Sequence, residues 1–162
     1  MAELSFVFRI VTRKFPVALW LHTPASPPDD EWKEACKVIK ATPDLMRMRM
    51  LICTDGGAPN MMQRTEMNVG VFDGKGFKSV ALTTQLSNPI KRGMARAIMW
   101  TNPWFKALGP LQWQEALTHL DLGDDVGIFD EFDELQSRLP TKNATFAIIR
   151  DAIRARRELT AT

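Results

Sequence analysis

Two short stretches hold the residues best suited to binding chemistry. One is Thr54-Asp55-Gly56-Gly57-Ala58-Pro59-Asn60, and the other runs from Thr84 to Arg92 and contains Ser87, Asn88, Lys91 and Arg92. Each follows an apolar, strand-like run and opens a helical pattern. A helix N-terminus presents free backbone N–H groups and the positive end of the dipole, so glycines, hydroxyls and cations gathered there suit an anion. If the two loops follow neighbouring parallel strands, Thr54, Gly56 and Gly57 face Thr84, Ser87 and Asn88 across one crevice. Lys91 and Arg92 sharpen the expectation, because a cation in the first turn of a helix is disfavoured by about 0.3–1 kcal/mol unless an anion offsets it. The competing reading leaves both side chains in solvent, screened by salt.

Other chemistry is harder to build from these residues. His22 and His119 stand apart, in no HExxH-type spacing, and Cys36 and Cys53 are separated, so no metal site is expected. Both thiols are expected to be reduced and buried. No Gly-x-Ser-x-Gly elbow occurs, and the carboxylates Asp124, Asp125, Asp130, Glu131, Asp133 and Glu134 read as a solvated face, not as an acid and base pair. No catalytic residue and no cofactor are expected. Asp73-Gly74-Lys75-Gly76 lacks the spacing of a phosphate loop and precedes a strand pattern, so it is expected to be a turn. Trp100, Trp104 and Trp113 are close enough in sequence to form a stacking platform for single-stranded nucleic acid, but core burial is the favoured reading.

The elements that must position these loops are legible from periodicity. Ser5–Val11 alternates as a strand and is expected to pair with a second strand-like run over Val17–Leu21 in an antiparallel hairpin, and Trp32, Ala35, Cys36 and Ile39 share one face of a helix that Pro43 ends. Met48–Cys53 is almost continuously apolar, as in a strand covered on both faces. Asn60–Val69 is expected to be a helix with Met62, Thr65, Glu66 and Val69 at helical spacing, and Phe77–Thr84 a strand. Ser87-Asn88-Pro89 starts a helix whose Ile90, Met94, Ala97 and Ile98 form a buried stripe, followed by a strand over Trp104–Leu108. Gly109-Pro110 opens a helix carrying Trp113, Ala116, Leu117 and Leu120. The expected fold is α/β: a mixed sheet of about five strands, an N-terminal hairpin followed by alternating helices and strands, flanked by helices. The expected core includes Phe8, Leu19, Trp32, Ile39, Leu51, Ile52, Val80, Leu82, Ile98 and Leu117.

Beyond residue 122 the pattern changes to an acidic tract and then a basic amphipathic helix over Asn143–Leu159, with Phe146, Ile149 and Ile153 on one side. This divides the chain into an α/β unit over 1–122 and a helical extension over 123–162, appended to the same domain. The extension is expected to pack on that domain or on a second copy, because its apolar residues need cover. With 162 residues, 45% of them hydrophobic, the chain has the size of one domain. A net charge of +2 makes nucleic acid an unlikely partner. No apolar run approaches the roughly 20 residues that span a bilayer, and no leader pattern opens the chain, so a cytoplasmic location is expected.

MLICTDGG, FKSVALTT, SNPIKRGMARAIMW and WFKALGPLQWQEALTHL, in that order and spacing, resemble the SpoIIAA-like group related to STAS and described as STAS/SEC14-like. The resemblance covers about three-quarters of the chain. It implies non-enzymatic regulation through contact with another protein, and a phosphorylatable Ser or Thr in the loop before the second helix. Thr54 is the hydroxyl found there, although the loop lacks the Asp-Ser-Ser-Gly type of sequence. The SEC14 side of the resemblance implies instead an apolar cavity for a lipid, and a domain binding a small anion, nucleotide or lipid is the alternative function.

Overall fold

The computed structural model describes residues 4–161. Strands β1 (Phe6–Thr12), β2 (Pro16–His22), β3 (Arg49–Thr54), β4 (Ser79–Thr83) and β5 (Phe105–Leu108) form one sheet in chain order. β1 and β2 are an antiparallel hairpin, and every later pairing is parallel. Each parallel connection passes through a helix: α1 (Asp29–Lys40), α2 (Met61–Thr65, continued as a π-helix over Glu66–Val71) and α3 (Pro89–Thr101). The expected α/β class and mixed five-stranded sheet are therefore what the chain adopts.

Alternation along the strands divides the core in two. One face carries Val17, Leu19, Leu21, Leu51, Cys53, Val80 and Leu82, and it is covered by α4 (Trp113–His119), α5 (Phe132–Ser137) and α6 (Ala144–Thr160). The other carries Phe6, Ala18, Trp20 and Met50 beneath α1 and α2. Residues beyond 122 share the first core outright: Ile128, Phe129, Phe132, Leu135, Phe146, Ile149 and Ile153 are all buried in it. Their outer carboxylates are tied down by arginines, Arg13 to Asp125, Arg9 to Glu131, Arg150 to Asp133 and Arg157 to Asp130. The acidic tract is thus fastened both by apolar burial beneath it and by ion pairs along its rim.

Four expectations about burial are corrected. In α2 the buried side chains are Gln63, Met67, Asn68 and Val71, while Met62 and Val69 are exposed. The π-helix inserts an extra residue per turn and shifts the phase that a uniform 3.6-residue period assumes. No residue of α3 is buried: Ile90 is exposed, and Met94 and Ile98 are only half-buried. Phe8 and Ile52 are likewise half-buried. Of the three tryptophans near β5, Trp113 is in the core, but Trp104 is half in solvent and Trp100 is 89% exposed.

Candidate functional site

α3 is held at its ends and spans open space between them. At its start Asn88 Oδ1 accepts the backbone N–H groups of Ile90 and Lys91, and Lys91 Nζ donates to the Gly56 carbonyl at 2.6 Å. At its end the buried Asn102 side chain donates to the Phe77 carbonyl at 2.8 Å and accepts the Phe77 N–H. Beneath the helix, one row of sheet side chains is large on the first three strands and small on the last two. The register aligns Phe8, Trp20, Ile52, Ala81 and Ala107 in a single row, with Met50, Ser79 and Phe105 in the next. The small residues of β4 and β5 leave room that Met94, Ala95 and Ile98 of α3 do not fill. The result is a cavity of about 100 Å³ between the sheet, α2 and α3, adjoined by a second of about 60 Å³ nearer the start of α3. The two share Thr54, Gly57, Ala58, Ala81, Ile98 and Phe105 as walls.

The larger cavity is mostly apolar, with a few polar groups in its walls. Trp20 Nε1 and His22 Nδ1 are buried and make no hydrogen bond among the described residues, and both residues line it. His22 stacks 5.7 Å from Trp20 and is sealed from water, which pushes its pKa down to about 4 and keeps the ring neutral near pH 7. Trp32, by contrast, is satisfied, donating from Nε1 to the Gln63 carbonyl at 2.9 Å. Arg64 reaches the same cavity from α2; its Nη1 donates to the Pro59 carbonyl at 3.0 Å, and its Nε is buried without a partner.

The loop after β3 forms one rim. Thr54 Oγ1 accepts the Gly56 N–H at 3.1 Å and donates to the Gly57 carbonyl at 2.7 Å, closing the turn with its own side chain. Gly56 has φ of +127°, a conformation other residues avoid. At Gly57 a Cβ would lie 2.3 Å from the Thr23 carbonyl oxygen, so the residue must be glycine for the loop to pass β2. Asp55 points the other way: its carboxylate accepts the N–H groups of Ala144 and Thr145 at 2.8 and 3.0 Å, capping α6.

The sequence-derived anion residues are therefore only partly assembled. Thr54, Gly56, Gly57 and Lys91 line the smaller cavity together, whereas Thr84, Ser87, Asn88 and Arg92 lie outside its walls. Thr84 donates its N–H to Thr145 Oγ1 at 3.3 Å, and Ser87 and Arg92 are exposed. The helix starts near these loops are already engaged by side chains, α2 by the reciprocal Asn60–Gln63 capping box and α3 by Asn88. The Thr54 hydroxyl is half-buried in its turn, and modifying it requires breaking two hydrogen bonds.

Trp20, His22, Arg64, Ser79, Ala81 and Asn102 are among the wall residues that periodicity did not single out. Two signals could have found three of them: Ser79, Ala81 and Thr83 repeat on one face of β4 opposite the large Val80 and Leu82, and His22 closes an otherwise apolar strand. Among the described residues no group of three or more His, Cys, Asp and Glu side chains is arranged to hold a metal ion. His119 instead bonds the Trp104 carbonyl at 2.7 Å. Cys36 and Cys53 are buried free thiols whose pKa values are raised, first by burial and then by Glu66 and Asp55 respectively. Among the described residues no helix is long and apolar enough to cross a membrane. No family model, curated protein or solved structure matches the chain.

Proposed function

We propose that this chain is a non-catalytic binding domain that takes a small, mostly apolar ligand between α3 and the sheet. The observation that carries this reading is the pair of buried, partnerless groups, Trp20 Nε1 and His22 Nδ1, in the walls of one apolar cavity. Leaving a buried polar group unsatisfied costs about 1–3 kcal/mol, and a ligand that supplies the partner recovers it. Ligand sites commonly combine apolar walls with a few placed polar groups, and this cavity has that make-up. The edge of the site also suits exchange, because α3 is fastened at its termini and buries no side chain of its own. Organic extraction of the purified protein followed by mass spectrometry tests the reading. A near-stoichiometric apolar molecule should be recovered from the wild type and lost from Ala81→Phe. Equal recovery from both proteins places the ligand elsewhere.

A second reading, a regulatory module of STAS type acting through another protein, is supported by exposed apolar side chains on α2 and α3. Met61, Met62 and Trp100 stand in solvent there, with Met62 80% exposed. Any such partner is proposed to use this surface in preference to α6, whose Phe146, Ile149 and Ile153 face the sheet. Trp100→Glu should then abolish capture of a partner, or self-association seen by light scattering, without altering the fold; an unchanged result removes this reading.

A further inference from the structure

The walls of the two adjoining cavities contain two cations, Arg64 and Lys91, and no carboxylate. Neither cation forms an ion pair among the described residues; each instead donates to a backbone carbonyl, Pro59 for Arg64 and Gly56 for Lys91. The arginine is the more telling of the two. Its Nη1 is engaged, while the opposite edge of the guanidinium, Nε and Nη2, makes no hydrogen bond within the described protein. That edge presents two parallel N–H donors, the fork that matches two oxygens of a carboxylate or phosphate. Its Nε is buried, and partial burial lowers the pKa of the group, as expected for a cation that has lost water without gaining a counter-ion.

A buried or half-buried charge is normally paired, and other partly covered cations of this protein have a carboxylate, as Arg150 has Asp133 and both Arg49 and Lys78 have Asp121. From this contrast, and resting on the ligand-binding reading above, we propose that the ligand is an amphiphilic anion. Its apolar body lies along Ile52, Ala81 and Ile98, and its carboxylate or phosphate head sits on the free edge of Arg64. Lys91, at the other end of the joined space, adds positive potential without being the primary contact. The chemistry recognised is a singly headed, medium-length amphiphile, as against a bare anion, which would leave the apolar walls unused, and a neutral hydrocarbon, which would leave the fork unused.

Titration calorimetry with four probes below their micellar concentrations tests this: decanoate, monodecyl phosphate, 1-decanol and inorganic phosphate. The expected result is that one or both decyl anions bind at least about tenfold more tightly than 1-decanol, a difference of one charge-assisted contact, and that inorganic phosphate does not saturate. Arg64→Gln should bring the anions to within about twofold of 1-decanol, and saturable 1-decanol binding by the variant shows that the cavity is intact. Arg64→Lys, which keeps the charge and loses the fork, should fall between. If 1-decanol binds the wild type as tightly as the anions, the cavity is a site for neutral ligands and the anion proposal is overturned while the ligand-binding reading stands. If inorganic phosphate binds as well as the decyl anions, the site is one for bare anions and the amphiphile is excluded. If no decyl compound binds at all, the ligand-binding reading itself fails.

Discussion

The carboxylate of Asp55 accepts the backbone N–H of Thr145 at 3.0 Å, joining positions 90 residues apart. It also takes the N–H of Ala144, and Thr145 Oγ1 returns a hydrogen bond to the Thr54 carbonyl at 3.0 Å. Thus the loop that rims the cavity on one side of the sheet is anchored, on the other side, to the start of the helix that closes the second core. A carboxylate at a helix N-terminus satisfies orphan donors and complements the dipole. Asp55→Ala should therefore destabilise the protein by about 1–2 kcal/mol in denaturant titrations. A loss below about 0.5 kcal/mol would mean that this cap contributes little and that the rim is held by the Thr54 turn alone.

Filling the space under α3 should separate binding from stability. Ala81 sits between Ile52 and Ala107 in one row across the sheet and lines both cavities. Ala81→Leu should occupy that room with a stability change within about 1.5 kcal/mol, because there is little to displace. Binding of 1-decanol, followed by calorimetry, should be lost. Unaltered affinity would place the ligand elsewhere, and a loss well above about 3 kcal/mol would show that the space is not there to fill.

His22 makes stability depend on pH in a predictable direction. Burial lowers its pKa from 6.5 to about 4, so the unfolded chain takes up a proton before the folded one does. Its contribution is intact above about pH 6.5 and is lost progressively as the pH falls toward about 4, to a total of about 3 kcal/mol. Comparing wild type with His22→Phe at about pH 7 and about pH 4.5 isolates this from the titrating carboxylates. The variant should lose less stability over that interval by about 2 kcal/mol; parallel curves would show that the ring accepts a proton in place.

The scaffold was legible because its signals are local. The alternation in β1, the apolar runs of β2 and β3, and the stripe of Trp32, Ala35, Cys36 and Ile39 each belong to a single element, and each forms the kind of element its pattern implies. What was not legible depends on neighbours. The stripe of Ile90, Met94, Ala97 and Ile98 has the right spacing for burial, yet the strands below it offer Ser79, Ala81 and Ala107, too small to meet it. Only the pairing of β4 with β5 brings those residues side by side. The π-helix after Thr65 is a backbone event that moves Met67 and Asn68 inward and has no periodic signature. Trp100 shows the limit of hydrophobicity as a guide, since an apolar residue is permitted in solvent and its type alone does not bury it. The rim residues Thr54, Gly56, Gly57 and Lys91 follow from loop chemistry, whereas Trp20 and Arg64 emerge as walls only when three elements close on one space.

The most direct test of ligand binding beneath α3 is a nuclear magnetic resonance titration with 1-decanol, observing indole N–H and methyl resonances. Trp20 and Trp113 lie on opposite faces of the sheet, and Trp100 is in solvent, so the indoles report three separate environments. The Trp20 indole N–H should shift saturably together with the methyl groups of Ile52, Ala81 and Ile98, while Trp113 stays fixed. Shifts confined to Trp100 and Trp104, or no saturable shift at Trp20, would contradict a binding site between α3 and the sheet.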